Sequence, residues 1–172
     1  MSCLVTLSGM ALECKDTGGI KEVYIADRNK VLTLTVDPVT EVISAITMSG
    51  TNKFAVYKMN PQTGNLSSKI TNSTENNTSF VENTLNLVFA KMTATKRLEL
   101  ESLRIGELSV IVRDNNDAYW YLGYDYPVEM LDATVQTGTA FGDLNGYNIN
   151  LIDRGMQLPY QVDSTIIAGL IA

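Results

Sequence analysis

Apolar and polar positions alternate along much of the first ninety residues. "IKEVYIA" (20–26), "VLTLTV" (31–36), "VISAITM" (42–48) and "FAVYKM" (54–59) each place apolar side chains at every second position, as half-buried strands do. The polar turns "DRNK" (27–30) and "DPVTE" (37–41) and the break "SGTNK" separate them. Four strands at such short, even spacing predict a sandwich or a barrel. "FVENTLNLVFA" (80–90) resumes the alternation after a polar stretch from 60 to 79, which has no aromatic residue. A polar excursion of that length within a compact domain is functional or disordered. It is expected as a long loop or hairpin, with Leu66 and Ile70 as its only anchors.

The period changes at "KMTATKRLELESLRIGE" (91–107), where strong helix formers are followed by Gly106. One helix is predicted over about 93–104, although Leu98, Leu100 and Leu103 also permit strand alternation. "LSVIV" (108–112) and "AYWYLGY" (118–124) are strands, and "RDNND" between them supplies residues that tolerate positive φ, so the unit reads as a tight hairpin. Along 118–124, Tyr119, Tyr121 and Gly123 are expected on one face and Trp120, Leu122 and Tyr124 on the other. Residues 133–153 read as two strands around "GDLNG", with Asn145-Gly146 as the hairpin signal. The apolar tail from Pro159 to Ala172 is expected to dock, either on its own domain or on a partner. The fold class is therefore mainly β: one domain, an antiparallel sandwich or barrel with one flanking helix, and possible assembly arms at the N-terminus and at 159–172.

Composition narrows the chemistry. The chain of 172 residues contains no histidine, which removes the commonest general base and neutral metal ligand. Cys3 and Cys14 are too few for a structural zinc site and match no redox spacing, so they read as reduced thiols. "DNND" lacks the ring of oxygens and the distal glutamate of a calcium loop. No phosphate-cradling glycine motif or paired acid/base constellation occurs, so the sequence points away from an enzyme and calls for no cofactor or metal. No apolar stretch approaches the roughly 20 residues of a membrane span, and no signal peptide is expected at the N-terminus. The net charge of −6 argues against a protein that clamps nucleic acid. It is unevenly placed: residues 105–172 carry nine acids against only Arg113 and Arg154.

Four stretches bring a family into view: "LECKDTGGIKEVYIAD" (12–27), "FAVYKMNPQTGNL" (54–66), "VIVRDNNDAYWYLGYD" (110–125) and "TGTAFGDLNGYNINL" (137–151). Together they resemble small virion structural proteins, of the tail-tube type, of tailed bacteriophages that infect Bacteroidetes and related bacteria. The resemblance runs from about residue 9 to 164 and is carried by turns and strand cores. It implies a β-sandwich or barrel flanked by one helix, with a long loop or hairpin reaching out. It also implies six copies in a ring, rings stacked into a tube, and contact with other virion proteins. Such a protein is made in the host cytoplasm and resides in the virion, where DNA passes through the tube without specific binding.

The lumen of such tubes is acidic. Glu107, Asp114, Asp117, Asp125 and Asp132 are the candidates for that lining; the other reading is that they solvate the outer surface. Leu66 and Ile70 are the candidate assembly contacts of the 60–79 segment. Two rival functions stand beside the tube: a neck, cargo or capsid-decoration protein, and a carbohydrate-binding module using Tyr119, Trp120 and Tyr121. Alternation weighs against the module, because neighbours on a strand do not share a face.

Overall fold

The computed structural model describes Gly9 and residues 15–172; Cys3, Cys14 and the proposed N-terminal arm lie outside the described residues. Among the described residues eleven strands form two sheets. The larger has the order β2 (Val31–Val36), β3 (Ile43–Met48), β11 (Tyr160–Val162), β8 (Tyr119–Leu122), β7 (Leu108–Asp114), β1 (Ile20–Asp27), β4 (Ala55–Lys58). The smaller has the order β5 (Gly64–Ser73), β6 (Thr78–Ala90), β10 (Gly146–Gly155), β9 (Glu129–Gln136). Every pairing between these strands is antiparallel except the short β11–β3 contact.

Alternation decides which side chains meet. Val23 and Ile25 of β1 and Val110 and Val112 of β7 face Leu85 and Leu87 of β6 and Ile149 and Leu151 of β10, all buried between the sheets. Helix α1 (Ala94–Ile105) adds Leu103 to this cluster. The intervening residues of the larger sheet point the other way and are buried too: Tyr24, Ile111, Tyr119 and Tyr121 join Ile43, Phe54 and Val162 in a second cluster. A sheet buried on both faces explains why "VYIA" and "VIV" are apolar without a break. Val31 on one edge strand and Phe54, leading into the other, share that second cluster, so the larger sheet curls around it. Among the described residues its edges do not pair, and no barrel closes.

The expected helix over 93–104 is α1, capped by the Thr93 hydroxyl accepting from Lys96 N at 3.3 Å and ending at Gly106. A second helix, α2 (Ser164–Leu170), lies in the tail that the pattern left without an element. Asp163 caps it, accepting from Thr165 N at 2.9 Å. The tail does dock, and it docks on its own domain. Ile167 and Leu170 enter the second cluster, Phe54 N donates to Leu170 O at 2.9 Å, and Ala172 N donates to Phe54 O at 3.1 Å. Residues 160–172 therefore close the fold and do not project as an arm.

Two turn readings are corrected. The β9–β10 connection runs over residues 137–145, and Gly146 is the first residue of β10. Asn145-Gly146 is thus not the tight turn; Gly146 is needed because a Cβ there would run into the Phe89 carbonyl on the paired strand. Along β8 the alternation holds through Leu122 and then fails at Gly123, whose φ of +92° turns the chain. Tyr124 consequently lands beside the second cluster, its ring 4.7 Å from that of Tyr160, on the same side as Tyr121.

One acid is buried in the smaller sheet. Asp153 accepts from Asn83 Nδ2 at 3.0 Å, and burial raises its pKa above the ordinary aspartate value. Folding therefore favours its protonated form, so ionisation costs stability above the folded-state pKa. That cost disappears as the pH falls through the folded-state value toward the unfolded one, near 3.9. Asp153→Asn is accordingly expected to unfold at a higher temperature than the wild type at pH 7, with the difference shrinking toward pH 4. Parallel melting curves that keep the same spacing at both pH values would refute this.

Candidate assembly surfaces

The 60–79 segment folds as a hairpin. β5 and β6 pair from Gly64↔Leu87 to Ser73↔Thr78, and Asn77 (φ +50°) takes the left-handed conformation at the turn. β10 accompanies β6 only as far as Gly155↔Val81. The last three pairs, from Thr71↔Phe80 to Ser73↔Thr78, therefore extend beyond the sheet by roughly 10 Å at about 3.4 Å per residue. The two expected anchors separate. Leu66 packs against the inter-sheet core and holds the root of the arm, whereas Ile70 is 56% exposed near its emergence. Phe80, 42% exposed beside Thr71, is a third apolar arm residue that the sequence pattern had assigned to an ordinary strand.

The outer face of the smaller sheet is polar and cross-linked. Asn86 Nδ2 donates to Asn148 Oδ1 at 3.1 Å and Asn150 Oδ1 at 2.5 Å, and Asn150 Nδ2 donates to Asp132 Oδ1 at 2.7 Å. Arg154 pairs with Glu82 at 3.0 Å on the same face. Among the described residues both edges of this sheet are free, because β5 and β9 have no strand on their outer sides. Their charges are opposite: β9 carries Glu129 and Asp132 and no cation, while β5 carries Lys69 and no acid.

At the β7–β8 turn Asp114 accepts from Asn116 N at 2.8 Å, Ala118 N at 2.9 Å and the Trp120 indole N–H at 3.1 Å. Asp117 pairs with Lys21 at 3.0 Å and with Arg113 at 2.7 Å, and these hydrogen bonds hold its carboxyl below the ordinary range. Arg113 also meets Glu22 at 2.8 Å and lies over the Tyr119 ring at 5.7 Å. Glu22 is lowered as well, first by the hydrogen bond from the Tyr24 hydroxyl and then by Arg113. The turn is the tight hairpin that the sequence implies.

The five nominated acids do not form one row. Asp114 and Asp117 share this turn, Glu107 and Asp125 lie at the far ends of the same two strands, and Asp132 is on the other sheet. Glu107 offers its backbone carbonyl to Arg28 N, and the Asp125 carboxylate accepts from Met156 N at 2.8 Å. The aromatic trio forms no platform: Tyr119 and Tyr121 are buried, and Trp120 alone faces the mouth between the sheets. That mouth is a cleft of about 670 Å³ bounded by Ile20, Leu66, Trp120, Leu158 and a glycine-rich rim.

No protein-family model, curated protein or solved structure matches the chain. Among the described residues no helix is long and apolar enough to cross a membrane.

Proposed function

We propose that the chain is a self-assembling structural protein of a tailed-phage virion, the subunit of a tail tube. The observation that supports this best is the smaller sheet, which among the described residues has a polar outer face, two free edges of opposite charge, and an arm projecting beyond it. β5 and β9 run in opposite directions, so a β9-to-β5 junction between copies continues the antiparallel alternation. Such a contact joins two different surfaces, and repeated head to tail it closes a ring when the rotation between copies divides the full turn. It also satisfies edge backbone groups that would otherwise invite uncontrolled pairing.

In that ring the Asn-rich face lines the channel. Its charges are Glu82, Glu129 and Asp132 against Lys69 and Arg154, a slight acidic excess that gives DNA phosphates no basic track to condense on. Asp132 is then the nominated acid that faces the lumen. The arm, with Ile70 and Phe80 exposed, reaches the adjoining ring.

Negative-stain microscopy of the purified protein at rising concentration tests the reading. Rings and stacked tubes with a stain-filled channel are expected. Single 18.9 kDa copies at every concentration, confirmed by light scattering, would refute it.

A further inference from the structure

Phe141 is fully exposed at the apex of the β9–β10 loop, although a side chain of that size is ordinarily buried. The loop backbone around it is ordered: the Asp143 carboxylate accepts from Thr139 N at 2.9 Å and Ala140 N at 2.8 Å, and Asp143 N donates to Ala140 O at 3.1 Å. A loop ordered in this way loses less backbone freedom on docking than a floppy one. Among the described residues an apolar cleft is left unfilled, the mouth beneath β5 that Leu66 and Trp120 both line.

We propose that Phe141 of one copy plugs this cleft in the next copy. The inference rests on the head-to-tail assembly proposed above and supplies its anchor. Knob and cleft lie at opposite edges of the smaller sheet, since the loop follows β9 and the cleft lies under β5. They also lie toward the same end of it, because Gly146 pairs with Ala90 and Gly64 pairs with Leu87. Charge complementarity selects a second copy as the occupant. With the two sheets set level, Glu129 of one copy stands opposite Ser67 of the next and diagonal to Lys69, within reach of an ion pair.

The experiment uses two variants. Phe141→Asp removes the knob, and Ser68→Arg, at an exposed position on the cleft rim, blocks the cleft. Each is expected to melt like the wild type and to need at least about thirtyfold more protein to assemble, the loss typical of a central anchor. Mixed together they are expected to stop at particles of two copies, because only one competent junction remains. Trp120, the single tryptophan, should shift its emission to the blue when the wild type assembles. If the wild type assembles and both variants do so at the same concentration, the knob is refuted while the assembly stands. If the wild type never assembles, both fall.

Discussion

With residues 71–80 replaced by an Asn-Gly turn, the protein is expected to fold normally and to lose the ability to build tubes altogether. The replacement removes only the pairs of the β5–β6 hairpin that extend beyond β10, and leaves Leu66, Ile70 and Val81 in place. The deleted segment contributes no residue to either core cluster, so the melting temperature should stay close to that of the wild type. Asn-Gly suits the two-residue connection that remains between Ile70 and Val81. Rings are still expected, because the sheet edges and the β9–β10 loop are untouched; stacking is lost because nothing reaches the next ring. Normal tubes from this variant would remove the arm from the mechanism. Removing all of β5 would be a poorer test, since that strand covers the edge of β6 and Leu66 packs into the core.

The largest single-residue effect on stability is expected from Gly146→Ala. The added methyl meets the Phe89 carbonyl and the Ala90 Cα, both main-chain atoms of the neighbouring strand, so no side-chain rotation relieves the clash. β10 must separate from β6 at the point where their pairing begins, and β10 is the strand that joins β6 to β9. A forced backbone shift of this kind costs about 3 kcal/mol. For a chain of this length that corresponds to a melting temperature roughly 6–12 °C lower. Gly169→Ala provides the control: it lies in α2 with nothing within 4 Å of the new methyl, so it should be neutral or slightly stabilising. Equal melting temperatures for wild type and Gly146→Ala would mean that the two strands are not held this close.

Most strands, α1 and the β7–β8 hairpin were legible in the sequence, because each is dictated locally. Alternation of period two fixes which side chains of β1, β6 and β7 face the core, and Thr93 and Gly106 mark the ends of α1. Asp114 accepts from two neighbouring N–H groups within its turn, so five consecutive residues suffice to foresee it. The candidate contacts were legible only in part. Leu66 and Ile70 stood out as apolar residues in a polar stretch, but nothing in the pattern showed that one is rooted in the core and the other exposed.

What the tertiary structure decided depends on partners distant in the chain. β5 has only Leu66 and Ile70 as apolar residues and becomes a strand because β6 supplies a complete ladder of hydrogen bonds. β11 is three residues long, too short to show a period, and exists because it fits between β3 and β8. Tyr124 changes sides because Gly123 turns the chain, a positive φ that alternation cannot foresee. The nominated acids scatter because charge along a sequence carries no information about which sheet, or which end of a strand, will hold it. By itself the sequence determined most of the elements and their alternating faces, since those follow from hydration and backbone geometry within a few residues. The free edges, the projecting arm and the open cleft were decided only when strands some fifty-five to ninety-five residues apart came together.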